Sequence, residues 1–383
     1  MKTEVIEIKT REAEGLITEF AKRTGLISHE GDKSNRYLWT DAFAVNCLFG
    51  LYQSTGDNSY RKKALELIDL VHLHLGKFHP DDHRKGWISG LTGEKAEFHP
   101  TAGGLRIGKR LPERKHTERL DQRLEWERDG QYFHYLTKWI NSLLQADIET
   151  NNTSYARWAA ELLAVSSAFI ENGNQNPRMY WKMDTKLSRP LVSSMGAHDP
   201  LEGLICTANI LRRFPDRALQ FDYMLRSFET ICQRQTWVTS DLLGIGGLLI
   251  DSIRAIILEN EDIPVNLNAE SLLQESIQSL NIYQRQDLKA GSGPRLAFRE
   301  CGLSLGIRIL KGMKEKLGIH SISKAQMQCY ELLANEIENF WLDEENQKSY
   351  TWNEHPDINS VSLAASLIAC SQPEVFLGIP KKP

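Results

Sequence analysis

The sequence has no closely spaced cysteines, no long apolar runs and no large excess of charge of one sign. Its six cysteines are far apart and form no CxxC pair, which argues against a zinc cluster or a disulfide framework and predicts buried free thiols. No stretch approaches the roughly 20 apolar residues of a membrane-spanning helix. A net charge of −4 provides no general positive field for nucleic acid. We therefore expect neither a membrane nor nucleic acid as a partner.

Signals for secretion and for cofactors are also missing. Residues 1–10 alternate charged with apolar side chains and contain no apolar core of the length that a signal peptide needs, so we expect a cytoplasmic protein. The histidines of the segment 76–128 fit no standard zinc spacing, and the glycine-rich residues 101–109 lack the ending of a phosphate-binding P-loop. The sequence predicts no metal and no cofactor. Arg106 of this glycine-rich loop is a candidate for binding an anionic group, beside the alternative that the loop simply packs.

Strand signals are scarce, and helical periodicity covers most of the chain. Residues 5–8 (VIEI) and 264–268 (PVNLN) come nearest to strands, but neither has a partner with hairpin chemistry. Two classes of helix alternate. Amphipathic helices with a charged face begin near residues 9, 59, 153, 216, 269 and 323. Helices that are apolar on most sides begin near residues 41, 130, 200, 242, 296 and 357.

This alternation predicts the architecture. A helix that is apolar all round must be buried, whereas an amphipathic helix lies at the surface. Six of each class predict a single all-α domain over residues 1–383, an (α/α)6 toroid with an inner and an outer ring. The long loops, above all an inserted loop at 76–128, lead from outer to inner helices. They gather over the end where the inner helices begin, so we expect the functional site there.

Polar residues open each inner helix, and they would converge on one cavity in such a toroid. The candidate catalytic residues are Asp41, Asp129, His134, His198, Glu202, His355 and Asp357. The candidate substrate-binding residues are Trp39, Arg106, Gln131, Tyr132, Trp181, Asp199, Arg295, Arg299, Glu300 and Trp352.

Structural roles compete with these assignments. Acids such as Asp41, Asp129 and Asp357 are equally typical of helix caps or first turns. His134, one turn inside its helix, also fits a satisfied core histidine. Glu300 requires a partner because an unpaired buried carboxylate is costly, and Arg295 or Arg299 would supply one. The aromatic residues suit a carbohydrate cleft, since sugar rings present apolar faces, but they would equally plug the mouth of the toroid.

Two stretches carry a resemblance to a known superfamily. Residues 126–139, WERDGQYFHYLTKW, resemble the acid-glycine-aromatic opening of an inner helix, and residues 36–43, RYLWTDAF, resemble the aromatic-acid opening of another. With the helix alternation, they resemble the six-hairpin glycosidase-like superfamily. That superfamily includes unsaturated glucuronyl hydrolases, other glycoside hydrolases and the N-acylglucosamine 2-epimerase group. The resemblance implies the (α/α)6 barrel and activity on carbohydrate.

Three functions remain open at this point. A glycoside hydrolase would use two carboxyl groups, as acid and as base or nucleophile, drawn from Asp41, Asp129, Glu202 and Asp357. A sugar epimerase or isomerase would use histidines as its acid–base pair, because histidine titrates near neutrality. A non-catalytic binding protein of this fold would have an apolar centre. The expected partner is a small-molecule or oligosaccharide substrate, and the sequence makes no prediction of oligomeric state.

Overall fold

The computed structural model describes residues 2–27, 36–171, 176–261, 263, 265–283 and 287–380. Twelve long helices dominate this part of the chain. The odd-numbered ones are α1 (Lys2–Arg23), α3 (Asn58–Leu75), α5 (Thr153–Ser166), α7 (Ala218–Cys232), α9 (Ala269–Ile282) and α11 (Lys324–Leu342). The even-numbered ones are α2 (Leu38–Thr55), α4 (Phe133–Thr150), α6 (Asp199–Arg213), α8 (Leu242–Asn260), α10 (Ala297–Lys314) and α12 (Pro356–Ala369).

Regular structure also occurs in the connecting segments. Short helices span Gly93–Phe98, Gln122–Glu127, Glu344–Gln347 and Tyr350–Glu354. Single 3-10 turns span Ser167–Phe169, Pro215–Arg217, Asp287–Lys289 and Pro373–Phe376. A small antiparallel sheet has the order β1 (Gln131–Tyr132), β2 (Lys182–Met183) and β3 (Pro190–Val192). This sheet ties the start of α4 to the loop that precedes α6.

The even-numbered helices form a closed inner ring, in which α2, α4, α6, α8, α10 and α12 contact one another in turn and α12 returns to α2. Each odd-numbered helix packs on the outside, with α1 against α12 and the others each against the inner helix that precedes them. The predicted all-α toroid is therefore confirmed. Within the described residues, none of the helices is both long enough and apolar enough to cross a membrane.

The two stretches whose sequences came nearest to strands do not form strands in the described structure. Residues 5–8 lie inside α1, which begins at Lys2 rather than near residue 9, and their apolar side chains stay largely exposed on the helix surface. Of the second stretch, Pro264 lies outside the described residues, and residues 265–268 form no strand. The two-residue strands of the real sheet are too short for periodicity to reveal them.

The ring is open at the end where the inner helices begin. Half-buried residues occur over the first two to three turns of the inner helices, among them Phe43, His134, Tyr135, Lys138, Gly247, Ile250, Arg299 and Gly302. The turns that follow are buried, over residues 44–51, 139–147, 303–310 and 359–369. Because the outer helices cover the other side of the inner ring, we expect these residues to line a depression on the axis of the toroid.

Glycines let α8 and α10 approach closely beside this depression. A Cβ atom added at Gly246 would lie 2.1 Å from the carbonyl oxygen of Gly302, and one at Gly306 would lie 2.5 Å from the carbonyl oxygen of Gly246. Backbone atoms cannot yield as a flexible side chain does, so any side chain at these positions would push the two helices apart.

We therefore expect Gly246→Ala to lower the free energy of unfolding by about 1–3 kcal/mol, the usual cost of overpacking a core. Gly247→Ala is the matched control, because its nearest neighbour would be 4.0 Å away, at Nδ1 of His198. The control should be neutral, or more stable by up to about 1 kcal/mol through helix propensity. Urea unfolding of both variants measures the difference. Equal stabilities would contradict the close approach of α8 and α10.

A buried carboxylate joins the first and last hairpins. Glu338 on α11 accepts hydrogen bonds from Lys9 of α1 at 2.6 Å and from Arg308 of α10 at 2.7 and 2.9 Å. Ser304 and Ser366 donate to the same carboxylate at 2.9 and 2.6 Å. Burial alone raises the pKa of Glu338, but Arg308 and Lys9 outweigh it and lower the pKa to about 2.

This network makes part of the stability depend on pH. The pKa of Glu338 is about 2 in the folded chain against an ordinary 4.5. Its stabilisation, on the order of 3 kcal/mol, is therefore fully present above about pH 4.5 and is lost as the pH falls toward 2. We expect Glu338→Gln to be less stable than the unmodified protein at pH 6 and the difference to shrink at pH 3 in urea unfolding. The exposed Glu336→Gln on the same helix is the control, and an equal pH dependence of both variants would contradict the assignment.

Candidate active site

Two carboxyl groups lie on the first turn of α6, at Asp199 and Glu202. Residues three apart on a helix share a face, so the two side chains lie near each other. Glu202 accepts hydrogen bonds from Nζ of Lys138 and Oγ1 of Thr137, both on α4. Burial raises the pKa of Glu202, but the Lys138 charge and these hydrogen bonds outweigh it, so the pKa lies below its ordinary value. Glu202 is therefore ionised at neutral pH.

Asp199 is in the opposite state. It is buried, and its Oδ2 has no hydrogen-bond partner in the described chain. Burial, and then the neighbouring charge of Glu202, raise the pKa of Asp199 to about 8. At neutral pH this carboxyl group keeps its proton. Two carboxyl groups whose surroundings drive their pKa values apart are the arrangement that acid–base catalysis needs.

Two histidines flank Glu202, and both are neutral at pH 7. Burial lowers the pKa of His134 to about 4 and also lowers the pKa of His198. His198 packs against the glycines of α8, where a Cβ at Gly244 would lie 3.1 Å from its Cε1, and its ring lies 6.2 Å from that of Trp237. The pairs His134 and Lys138, and His198 and Glu202, each sit one turn apart on neighbouring inner helices.

An aromatic wall stands beside His134. Tyr132 stacks on the histidine ring at 5.4 Å, and Tyr135 meets its edge at 4.6 Å between centroids. Nε1 of Trp181 donates to Nδ1 of His134 at 3.1 Å. Trp126, 39% exposed, meets Trp181 at 5.3 Å. These rings provide flat apolar surfaces next to charged groups, as sugar binding requires.

Further tyrosines continue the wall toward the start of α2. The hydroxyl groups of Tyr37 and Tyr135 lie 2.7 Å apart, and Nζ of Lys109 lies 5.8 Å from the Tyr37 ring. Burial raises the pKa of Tyr37 to about 12, so the pair stays protonated and offers hydroxyl groups rather than charge. Trp39, a predicted substrate-binding residue, is buried against Phe43 with centroids 4.4 Å apart.

Buried polar side chains of α4 and α8 also lie in the centre of the ring, near Glu202. Arg254 on α8 donates to Asn141 on α4, and its Nη1 lies 3.1 Å from Oδ1 of Asp251. Burial, and then the charge of Glu202, raise the pKa of Asp251 to about 6. Cys206 contacts Asn141 at 3.6 Å. The centre of the ring therefore contains charged groups rather than only apolar side chains.

At the rim, Arg299 of α10 forms an ion pair with Asp241, the N-cap of α8. Both side chains are about two-fifths exposed, and Oδ2 of Asp241 accepts from the backbone N–H of Gly244 at 2.8 Å. Arg299, a predicted substrate-binding residue, is thus partly exposed near the start of α10, but its charge is balanced by a neighbouring acid.

Several predicted site residues lie elsewhere. Asp129 is buried in an ion pair with Arg106 at 2.7 Å and accepts from the backbone N–H groups of Gly108 and Gly130 at 3.1 and 3.0 Å. Gln131 binds the backbone of Gly103, Leu105 and Thr185. Asp129, Arg106 and Gln131 therefore fasten the 76–128 segment to the start of α4 instead of meeting Glu202.

The acids of α2 and α12 face other partners. Asp41 is buried, with Oδ1 3.4 Å from Arg36 and Oδ2 accepting from the Tyr37 N–H at 3.1 Å. Burial raises its pKa to about 6, against the opposing charge of Arg36. Asp357 is half-buried and pairs with Arg23 of α1 at 2.8 Å. His355 is exposed. None of the three is in contact with Glu202.

A separate buried cluster contains Arg295, Glu300 and Trp352. Arg295 forms two hydrogen bonds with Glu300 at 2.6 and 2.9 Å, and Trp341 of α11 donates to the same carboxylate at 2.7 Å. Trp352 stacks on Trp341 with centroids 5.7 Å apart. All four side chains are buried. The structural alternative for Glu300, an ion pair with Arg295, is the arrangement observed.

Several residues near Glu202 were not predicted from the sequence as site residues. Lys138, Thr137, Asp251 and Arg254 lie in the interior of inner helices, where apolar periodicity predicts core. Trp126 precedes α4 by several residues. The signal that would have found Lys138 is its spacing, because His134 and Lys138 repeat the one-turn spacing of His198 and Glu202. Within the described residues, no three or more metal-ligating side chains gather into a metal site.

Comparison with solved structures supports the fold. No protein-family model and no curated protein matches the sequence. Among solved structures, the GH76A α-1,6-mannanase from Salegentibacter sp. HEL1_6 is similar with a TM-score of 0.54 at 14% identity, covering 96% of this chain and 100% of that one. An inactive variant of that enzyme, with two aspartates changed to asparagine and α-1,6-mannotriose bound, is similar with a TM-score of 0.53 at 14% identity, over the same shares of the two chains. The likeness shows a shared six-hairpin (α/α)6 fold.

Proposed function

We propose that this chain is a glycoside hydrolase that cleaves an oligosaccharide in the depression at the start of the inner helices. The observation that carries the proposal is the pair Asp199 and Glu202, one carboxyl group protonated and one ionised on a single helical turn. Glycoside hydrolysis needs an acid to protonate the leaving oxygen and a carboxylate to activate water or attack the anomeric carbon. The shared fold with an α-1,6-mannanase supports this reading.

The surrounding residues fit these roles. Asp199 gives its proton to the glycosidic oxygen as the bond breaks, and Glu202 acts as base or nucleophile. Lys138 keeps Glu202 ionised by its charge. Trp181 and Trp126 stack against sugar rings. The buried charged side chains of Asp251 and Arg254 disfavour the alternative of a non-catalytic protein with an apolar centre.

The mannanase does not supply the catalytic assignment. Its inactive variant changes two consecutive aspartates, whereas the one Asp-Asp pair of this chain is Asp81-Asp82. Asp82 is held by Arg84 at 2.6 Å in the 76–128 segment. The assignment of Asp199 and Glu202 therefore rests on their own surroundings, and α-1,6-mannotriose serves only as the first probe of substrate.

The test is incubation of the purified full chain with α-1,6-mannotriose, neutral gluco-oligosaccharides and uronic-acid oligosaccharides, followed by chromatography of new reducing ends. We expect cleavage of at least one member and its loss in Glu202→Gln. Asp357→Asn is the matched control, because this carboxylate opens an inner helix but binds Arg23 instead. Cleavage that survives Glu202→Gln, or no cleavage of any member, would overturn the proposal.

A sugar epimerase is the second candidate, because two neutral imidazoles, His134 and His198, flank Glu202. His355, the third candidate catalytic histidine, is exposed and has no contact with Glu202 among the described interactions. An epimerase would exchange substrate hydrogen in deuterated water without releasing reducing ends, so mass spectrometry of the same reactions separates the two functions. A cytoplasmic location stays a prediction.

A further inference from the structure

His134 is held on three sides in a way that decides where its proton lies. Its Nδ1 accepts the indole N–H of Trp181 at 3.1 Å. An indole N–H can only donate, so Nδ1 must carry a lone pair. A neutral imidazole with an unprotonated Nδ1 has its proton on Nε2. Tyr132 stacks on one face of the ring and Tyr135 meets its edge, which fixes the orientation of the ring.

The second ring nitrogen, Nε2, has no hydrogen-bond partner among the described residues. No described residue accepts a hydrogen bond from Nε2 of His134, and Nε2 is not one of the buried partnerless polar atoms of the described chain. The ring itself is half-buried. Nε2 is therefore available to a ligand, and the charges of Glu202 and Lys138 act on the same ring.

We propose that His134 is a substrate-binding residue of fixed tautomer, whose Nε2–H donates a hydrogen bond to an oxygen of the bound sugar and transfers no proton. This rests on the proposed function for the nature of the ligand, but the tautomer does not. Protonating Nδ1 would place an N–H against the indole N–H of Trp181 and break that contact.

The groups packed around His134 leave its imidazole ring neutral. Glu202 of α6 favours the charged imidazolium, whereas Lys138 one turn along α4 opposes it. Trp181 and the two tyrosines bring no charge of their own, because burial raises the tyrosine pKa values. Burial dominates and lowers the pKa of His134 to about 4, so the ring stays neutral throughout the physiological range.

Nitrogen-15 NMR of the full chain labelled at histidine tests the tautomer without any substrate. Comparison with His134→Gln assigns the resonances. We expect a proton on Nε2 alone and no titration between about pH 5 and 8. Trp181→Phe should give a mixture of tautomers, because the indole N–H that keeps Nδ1 unprotonated is then missing. Trp158→Phe is the control, since its indole N–H binds the carbonyl of Phe98 at 2.9 Å instead. A proton on Nδ1, or titration near 6.5 in the unmodified chain, would overturn the proposal.

Kinetics on a cleaved oligosaccharide test the donor role. His134→Leu should raise KM by about 3- to 10-fold, the loss expected for one neutral hydrogen bond, with the pH profile unchanged. His134→Gln keeps an N–H donor and should recover part of the affinity. An unchanged KM in His134→Leu, or a shifted pH profile, contradicts the donor role. Failure of every oligosaccharide to react would remove the proposed hydrolase, while the NMR result still decides the tautomer.

Discussion

Replacing Glu202 with glutamine lowers kcat/KM on the cleaved oligosaccharide by roughly 100- to 10,000-fold, the usual contribution of a general acid or base. Glutamine keeps the size of the side chain but cannot act as base or nucleophile. Initial rates of reducing-end release measure the loss. The half-exposed pair of Asp357 with Arg23 provides the control, and Asp357→Asn should retain activity within about twofold, since such pairs contribute little.

Loss of folding must be separated from loss of chemistry, because Glu202→Gln leaves the Lys138 charge without its partner. Removing one member of a buried pair can cost 3–5 kcal/mol, roughly. Thermal unfolding of the variant therefore accompanies the kinetics. The double variant Lys138→Met with Glu202→Gln removes both charges and should be more stable than Glu202→Gln while remaining inactive. Recovery of activity in the double variant would contradict the role of Glu202.

The pH profile provides the matching test of Asp199. Its pKa is raised to about 8, and the acid must be protonated to donate. Activity should therefore be present below pH 8 and fall as the pH rises through it. Asp199→Asn should remove most activity and, with it, this alkaline limb. A limb near pH 8 that persists in Asp199→Asn would assign it to another group.

Replacing Asp129 with alanine destabilises the folded chain by about 3–5 kcal/mol, the second large effect expected. The change leaves the Arg106 guanidinium buried without its carboxylate and removes the acceptor of the Gly108 N–H. Urea unfolding measures the loss. Because Asp129 lies away from Glu202, we expect any variant that remains folded to keep a normal pH profile.

A double variant tests the structural interpretation of Asp129. Arg106→Met combined with Asp129→Leu removes both charges, and such replacements of buried ion pairs are often tolerated. It should recover part of the lost stability. A stable Asp129→Ala variant without activity would instead return this residue to the catalytic site, as the sequence first indicated.

The alternation of helix types determined the fold, because the residues of each helix by themselves show whether it is apolar all round or has a charged face. An inner helix such as α8 is apolar on nearly every side, whereas an outer one such as α11 carries a charged face, and six alternations of this kind have a compact solution in the two-layer ring. The lengths of the loops also indicated the end of the toroid at which the first turns of the inner helices would be accessible. The secondary structure of residues 5–8 was harder to predict, since a few apolar residues fit an exposed helix as well as a strand.

Only the tertiary structure decided which polar residues share a site. Asp129 and Asp199 both open inner helices, and the sequence gives no ground to separate them. Asp129 meets Arg106, 23 residues earlier in a loop of irregular conformation, whereas Asp199 is buried beside Glu202 with one oxygen unpartnered. Partner choice depends on the rotation of each helix about its axis and on the path of each loop, and neither is encoded in local periodicity. The sequence by itself thus determined the ring of helices, and the contacts between distant segments decided which polar residues lie together.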